Sequence, residues 1–176
     1  MKQEQVTLPE VLEFREQKAF IQTGYLREKN GCVVVSLGMN IPGPVKTGPS
    51  ILAAFQEGQR SLEAVIRQQG GHVEAITVLE KKAGNAAVYQ VSGADSLVLK
   101  RAAVALEETH ELGRIFDVDV LDAAGCALTR EVVGAARRKC LICGEDAKVC
   151  GRNRTHTVEQ LQECVFGLID RWKAGA

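Results

Sequence analysis

The chain has 176 residues, 45% hydrophobic and 25% charged, and its 22 basic and 22 acidic side chains leave a formal net charge of zero. That balance excludes a protein working chiefly through non-specific grip on nucleic acid, which needs a basic excess. The length suits one domain burying about two thirds of its unfolded surface. Residues 1–10 lack the apolar core of a secretory signal, and no run approaches the roughly 18 apolar residues of a membrane span. The six cysteines are therefore expected to be reduced thiols or metal ligands of a cytoplasmic protein, not disulfides.

Thr7 and Glu10 have the spacing of a capping box and open a predicted helix to about residue 28. Its predicted apolar stripe is Leu8, Val11, Leu12, Ala19, Tyr25 and Leu26. Arg15 and Gln22 fall within that stripe, either as structural polar groups or as the lining of a ligand site. Residues 31–39, β-branched and bounded by glycine, read as a buried strand. A rigid loop follows, Asn40-Ile-Pro-Gly-Pro-Val-Lys-Thr-Gly-Pro-Ser50, ending at the start of a helix that runs to about Gln69. Strand, Gly/Pro loop and helix N-terminus together make a place for phosphate, with Lys46 adding charge, although the Walker spacing is absent. Residues 72–82 and 86–91 read as a hairpin turning at Gly84-Asn85. A third helix spans about 94–109, with Leu97, Val98, Val104 and Ala105 inward and Arg101 and Glu108 on or beside that face.

The segment Gly113-Arg-Ile-Phe-Asp-Val-Asp-Val120 is the most informative in the chain. On a strand, alternate side chains share a face, so Asp117 and Asp119 stand together. Asp is a poor strand residue and two on one face repel, so the pair belongs at a solvated edge or where a cation neutralises it. A hard ion such as Mg2+ takes one or two carboxylates plus substrate phosphates, and Arg114 offers a fixed charge to the same phosphates. Asp122-Ala-Ala-Gly125 is predicted to turn this strand into a short return strand over 126–129.

A second constellation reads Cys-x2-Cys-x6-Cys-x5-His through Cys140, Cys143, Cys150 and His156, a ligand set for a structural tetrahedral Zn2+ site. A competing reading takes residues 150–156 as extended, with Arg152, Arg154 and His156 projecting to one side as donors to a polyphosphate. Cys32, Cys126 and Cys164 are expected in the core. Thr157 with Gln160 caps a final helix to about Trp172. The element order indicates a single α+β domain over residues 1–176, a sandwich of helices and a mixed or antiparallel sheet, with segment 137–156 as part of it.

These motifs resemble one family, the holo-acyl-carrier-protein synthases of citrate lyase, also called apo-citrate lyase phosphoribosyl-dephospho-CoA transferases. The resemblance runs in order through Arg15-Glu16 with Gln22, Asn40-Ile-Pro-Gly-Pro-Val-Lys46, Leu99-Lys-Arg101, Ala105-Leu-Glu-Glu-Thr-His110, Leu112-Gly-Arg-Ile-Phe-Asp-Val-Asp-Val-Leu121 and the Cys/Arg/His tail. Glu111 stands where the family is expected to carry Pro. The resemblance implies attachment of the prosthetic group from 2'-(5''-triphosphoribosyl)-3'-dephospho-CoA to a serine of the lyase's acyl-carrier subunit, with diphosphate leaving. It implies Mg2+ on Asp117 and Asp119, phosphate contacts from Arg114 and Lys46, and a base in one aspartate or in His110. Asn40, Gly43, Arg15, Arg101, Arg152 and Arg154 are the further candidates for substrate contact. The same chemistry on another lyase or decarboxylase carrier, or a zinc-stabilised module that binds the carrier without catalysis, are the alternatives. The Asp-x-Asp strand is also similar to the metal motif of polymerase-β-like nucleotidyltransferases, but Glu107-Glu-Thr-His110 replaces their upstream Gly-Ser turn.

Overall fold

The computed structural model describes residues 4–28 and 31–175, so part of the N-terminal stretch read above lies outside the described residues. The elements are α1 (Leu8–Glu28), β1 (Val33–Met39), α2 (Pro49–Gln68), β2 (His72–Lys81), β3 (Gly84–Ser92), α3 (Ser96–Thr109), β4 (Phe116–Leu121), α4 (Ala147–Asn153) and α5 (Val158–Gly175). The four strands form one sheet in the order β2-β3-β1-β4, antiparallel throughout. The α+β class expected from the sequence is the one observed. No helix among the described residues is long and apolar enough to cross a membrane.

Strand alternation sends Val33, Val35 and Leu37, with Ala87, Tyr89 and Val91 and with Phe116, Val118 and Val120, into one core. Phe55, Leu62 and Ile66 of α2, Leu99 and Ala103 of α3, and Val165 and Ile169 of α5 complete it. The opposite sheet face is covered by α1. There Tyr25 packs on Val34 and Val88, its hydroxyl lies 2.7 Å from Thr77 Oγ1, and Gln22 Nε2 donates to Ser36 Oγ at 3.0 Å. Both capping boxes form. Thr7 N donates to Glu10 Oε2 at 2.7 Å, and Thr157 N donates to Gln160 Oε1 at 2.9 Å.

Five local expectations are corrected. The hairpin of β2 and β3 turns at Lys82-Ala83, because Gly84 pairs with Lys81 and Asn85 with Glu80, so both residues expected in the turn belong to β3. Residues 126–129 form no strand but a single bridge between Leu121 and Ala127. Asp122 Oδ1 accepts from Ala124 N and Cys126 N, and this turn spends the amides that a second strand needs. Cys126 is exposed and Cys164 half-buried, leaving Cys32 in the core. In α1, Leu8 and Leu12 are exposed, because the inward face also carries Lys18 and Gln22, which meet polar partners on the sheet. In α3 the buried residues are Leu99, Lys100, Ala103, Val104, Leu106 and Glu107, so Val104 lies inward as expected while Leu97 and Ala105 are exposed. Apolar periodicity misjudges the phase of both helices because charged residues point inward from each.

Gly113 opens a 3-10 turn that delivers the chain from α3 into β4. A Cβ there would meet the backbone oxygens of Glu107 at 2.5 Å and Leu106 at 2.6 Å, which cannot move aside. Gly113→Ala is therefore expected to destabilise the protein by at least about 2 kcal/mol in urea denaturation. Gly24→Ala, in open space on α1, is expected to stabilise by about 0.5–1 kcal/mol.

Candidate functional site

Strand β4 is an edge of the sheet, and its outward backbone groups need partners other than a strand. Helix α3 supplies them. Buried Lys100 donates to Val118 O at 3.1 Å, and buried Glu107 accepts from Val118 N at 2.8 Å. Arg138 donates to Phe116 O at 2.9 Å, and Leu128 N donates to Val120 O at 2.8 Å. Glu107 also holds two guanidiniums, Arg130 and Arg138, each at 2.6 Å. Sequence reasoning passed over Lys100 and Glu107, although their seven-residue spacing on one helix face was a signal.

Along this edge lies a cleft of about 520 Å³ lined by Asn40, Glu107, Asp117, Asp119, Arg130 and Arg138, among others. Asp117 and Asp119 lie opposite Gly38 and Ser36 of β1, on the α1 side of the sheet. Asp119 Oδ2 is 3.0 Å from Lys18 Nζ, and Asp117 Oδ1 is 3.9 Å from Arg138 Nη2. Desolvation by the surrounding protein, then the like charge of Asp119, raise the Asp117 pKa above its ordinary value in spite of Arg138 and Lys18. Its side chain still keeps 56% of its surface open to water. The carboxyl is thus reachable from solvent yet disfavoured as an anion.

Beside the cleft, sharing Asn40, Arg138 and Ala147 with it, lies a second cavity of about 690 Å³. Its wall is the Cys/His knob. Cys140 N donates to Glu145 O and Ala147 N to Arg138 O, closing a tight turn that passes through Gly144 at φ +74°. Asp146 Oδ1 then caps α4 by accepting from Lys148 N and Val149 N. This helix carries Cys150 and refutes the extended reading of residues 150–156. The ligand atoms of Cys140, Cys143, Cys150 and His156 all lie within 4.8 Å of one another. Burial raises the Cys140 thiol, but the amides of Cys143 and Ile142 and the neighbouring thiols outweigh it and bring the pKa down to about 7. His156 Nε2 is buried without a hydrogen-bond partner. Three thiols and an orphan imidazole nitrogen at this spacing can hold a metal such as Zn2+ with every ligand position filled by protein, as in a structural site.

The remaining candidates are dispersed. Arg114 lines the second cavity and spends Nη2 on the carbonyl oxygens of Lys139 at 2.6 Å and Cys140 at 3.3 Å. Arg154 lines it too. Lys46 lines neither cavity, is half-buried and donates to Ile41 O in its own loop. Burial, then the charge of Arg15, lower its pKa. Gly43, at φ +81°, lies under α5, where a Cβ would stand 2.4 Å from Gln162 Nε2. Arg15, Arg101 and Arg152 are exposed and line neither cavity. His110 packs on Phe116, which faces the main core away from the aspartates. Its Nδ1 accepts from Leu112 N at 3.0 Å, so its proton sits on Nε2, 3.5 Å from Glu57 Oε1.

The family model for apo-citrate lyase phosphoribosyl-dephospho-CoA transferase matches residues 6–172. A Vibrio cholerae protein named "probable apo-citrate lyase phosphoribosyl-dephospho-CoA transferase" is 31% identical over 156 residues, covering 89% of this chain and 87% of the relative. A Streptococcus pyogenes protein of the same name is 32% identical over 169 residues, covering 94% and 86%. The fold described above is therefore that of a transferase family. The chain belongs to the apo-citrate lyase phosphoribosyl-dephospho-CoA transferases.

Two outcomes follow from this geometry. Purified protein is expected to hold about one zinc per chain by elemental analysis, and His156→Ala to lose it along with several degrees of thermal stability. Less than about 0.1 zinc per chain would remove the site. Asp117 binds its proton more tightly folded than unfolded, so its contribution to stability falls as pH rises from 3.8 towards its raised folded value. Without added divalent ions, Asp117→Asn is expected to melt higher than the parent at about pH 8, with the gain vanishing below about pH 4.

Proposed function

We propose that this protein transfers the 2'-(5''-phosphoribosyl)-3'-dephospho-CoA group from its triphosphoribosyl precursor to a serine of the citrate lyase acyl-carrier subunit, releasing diphosphate. What supports this reading best is the Asp117–Asp119 pair on one face of β4, at the rim of a cleft in which buried Glu107 holds Arg130 and Arg138. Residues 1–176 act as one transferase domain in this reading. Asp117 and Asp119 are the residues that would hold Mg2+, for which carboxylate oxygens are suitable donors. Desolvation, and then the like charge of Asp119, raise the proton affinity of Asp117, and a bound cation would offset both. When bound, Mg2+ supplies neutralisation of the triphosphate charge.

The reaction is a nucleotidyl-type transfer. The serine oxygen forms a bond to the phosphorus that carries the ribose, and the bond from that phosphorus to the departing diphosphate breaks. The serine proton passes to one carboxylate of the Asp117–Asp119 pair. Lys18 fixes Asp119. Arg138, clamped by Glu107, faces the charge that develops on the phosphoryl oxygens. Because Glu107 itself is buried, that guanidinium is preorganised rather than recruited from solvent.

The test combines the protein with apo-carrier, precursor and Mg2+ and weighs the carrier by mass spectrometry. The expected result is a mass gain of one prosthetic group. Asp117→Asn and Asp119→Asn are expected to slow the transfer on the order of a thousandfold while the proteins remain folded. Unimpaired transfer by both variants would reject the proposed chemistry in favour of a carrier-binding module. A parallel arm with the carrier of a decarboxylase identifies the acceptor.

A further inference from the structure

We infer that the second cavity is a subsite for a nucleoside diphosphate, distinct from the carboxylate cleft; only its connection to a larger substrate rests on the transfer reading. Four cations line this space, Arg114, Arg138, Lys139 and Arg154, and no carboxylate does among the described residues. The adjoining cleft, by contrast, includes Glu107, Asp117, Asp119, Glu131 and Asp146. Like charges crowded around one space repel unless an anion enters. Internal partners supply it only in part, through the Cys140 and Cys150 thiols that share this wall. Arg138 has Glu107, whereas Arg114 is oriented by two neutral carbonyls. Among the described residues Lys139 and Arg154 have no ion pair. Guanidiniums in this arrangement suit phosphate oxygens.

The rest of the lining points to what accompanies the phosphates. Leu141, Val158 and Leu161 give the cavity an apolar wall. A bare inorganic diphosphate would leave that wall wet, whereas the base of a nucleotide covers it. Asn40, Arg138 and Ala147 border both spaces, so a single ligand reaches from the cationic cavity to the aspartates. The metal-binding knob acquires a second role in this arrangement: it carries Lys139 and Arg154 to the ligand as well as bracing the loop.

Arg154 has φ +49°, a conformation that Asn tolerates, so Arg154→Asn removes the charge without straining the backbone. Calorimetric titration of the full zinc-loaded chain, without carrier or Mg2+, compares adenosine 5'-diphosphate with inorganic diphosphate. The nucleotide is expected to bind about tenfold more tightly than diphosphate, and Arg154→Asn and Lys139→Gln each to weaken it about five- to twentyfold. Zinc content and melting temperature serve as controls, and Arg152→Gln, exposed and away from both cavities, is expected to leave nucleotide affinity unchanged. The inference is overturned if the nucleotide does not bind, if neither charge removal weakens it, or if diphosphate binds as well as the nucleotide. Transfer activity with no such binding sinks the subsite alone. Charge-dependent nucleotide binding without transfer sinks the transferase reading and leaves the subsite standing.

Discussion

Everything in the candidate site depends on how the outer edge of β4 is closed. A four-stranded sheet with a buried edge would leave backbone groups unsatisfied, at a cost of about 1–3 kcal/mol each. This protein meets them with ionised side chains. Lys100 and Glu107 lie one heptad apart on α3, so one helix face places an ammonium against Val118 O and a carboxylate against Val118 N. Burying either charge alone is unfavourable; hydrogen bonds to the strand and the two guanidiniums on Glu107 make it tolerable. The chain thereby obtains an edge strand whose alternate residues, Asp117 and Asp119, stand beside a cleft rather than beneath another strand.

The Cys/His knob completes this arrangement from the other side. Residues 137–146 contain little regular structure, yet Arg138 must reach both Glu107 and Phe116 O. Leu141 anchors this segment on the core, and three thiols and an imidazole lie together beside it, where a bound metal would brace the loop further. Arg114, from the turn leading into β4, then ties the knob's carbonyls to the strand's approach. The two constellations seen in the sequence therefore share one segment: Arg138, which is 3.9 Å from Asp117, stands two residues before Cys140 of the Cys/His cluster.

How much of this was legible in the sequence depended on distance along the chain. The capping boxes at Thr7 and Thr157 and the shared face of Asp117 and Asp119 are local patterns, and each appears as expected; the hairpin also forms, but it turns two residues earlier than Gly84-Asn85. The Cys/His spacing was readable because thiols have few reasons to recur at such intervals. The phases of α1 and α3 were not, because Lys18, Gln22, Lys100 and Glu107 point inward to partners 14 to 101 positions away or across a helix–strand boundary. Periodicity registers apolarity, and these faces hide polar groups. The extended reading of residues 150–156 failed for another reason: Asp146 caps a short helix ahead of it, a signal that lay outside the window considered. Gly43 in the loop is explained by the close approach of α5, a contact between residues more than a hundred positions apart.

The occupied edge also decides how the sheet can meet other chains. With the outer groups of Phe116 and Val118 in β4 taken by side chains from α3 and by Arg138, strand addition is disfavoured on that flank, and among the described strands β2 offers the other margin at which the sheet can be extended. Val73, Ile76 and Val78 on that margin are exposed. Any self-association by β-pairing therefore begins at the end of the sheet farthest from the aspartates and leaves their cleft open.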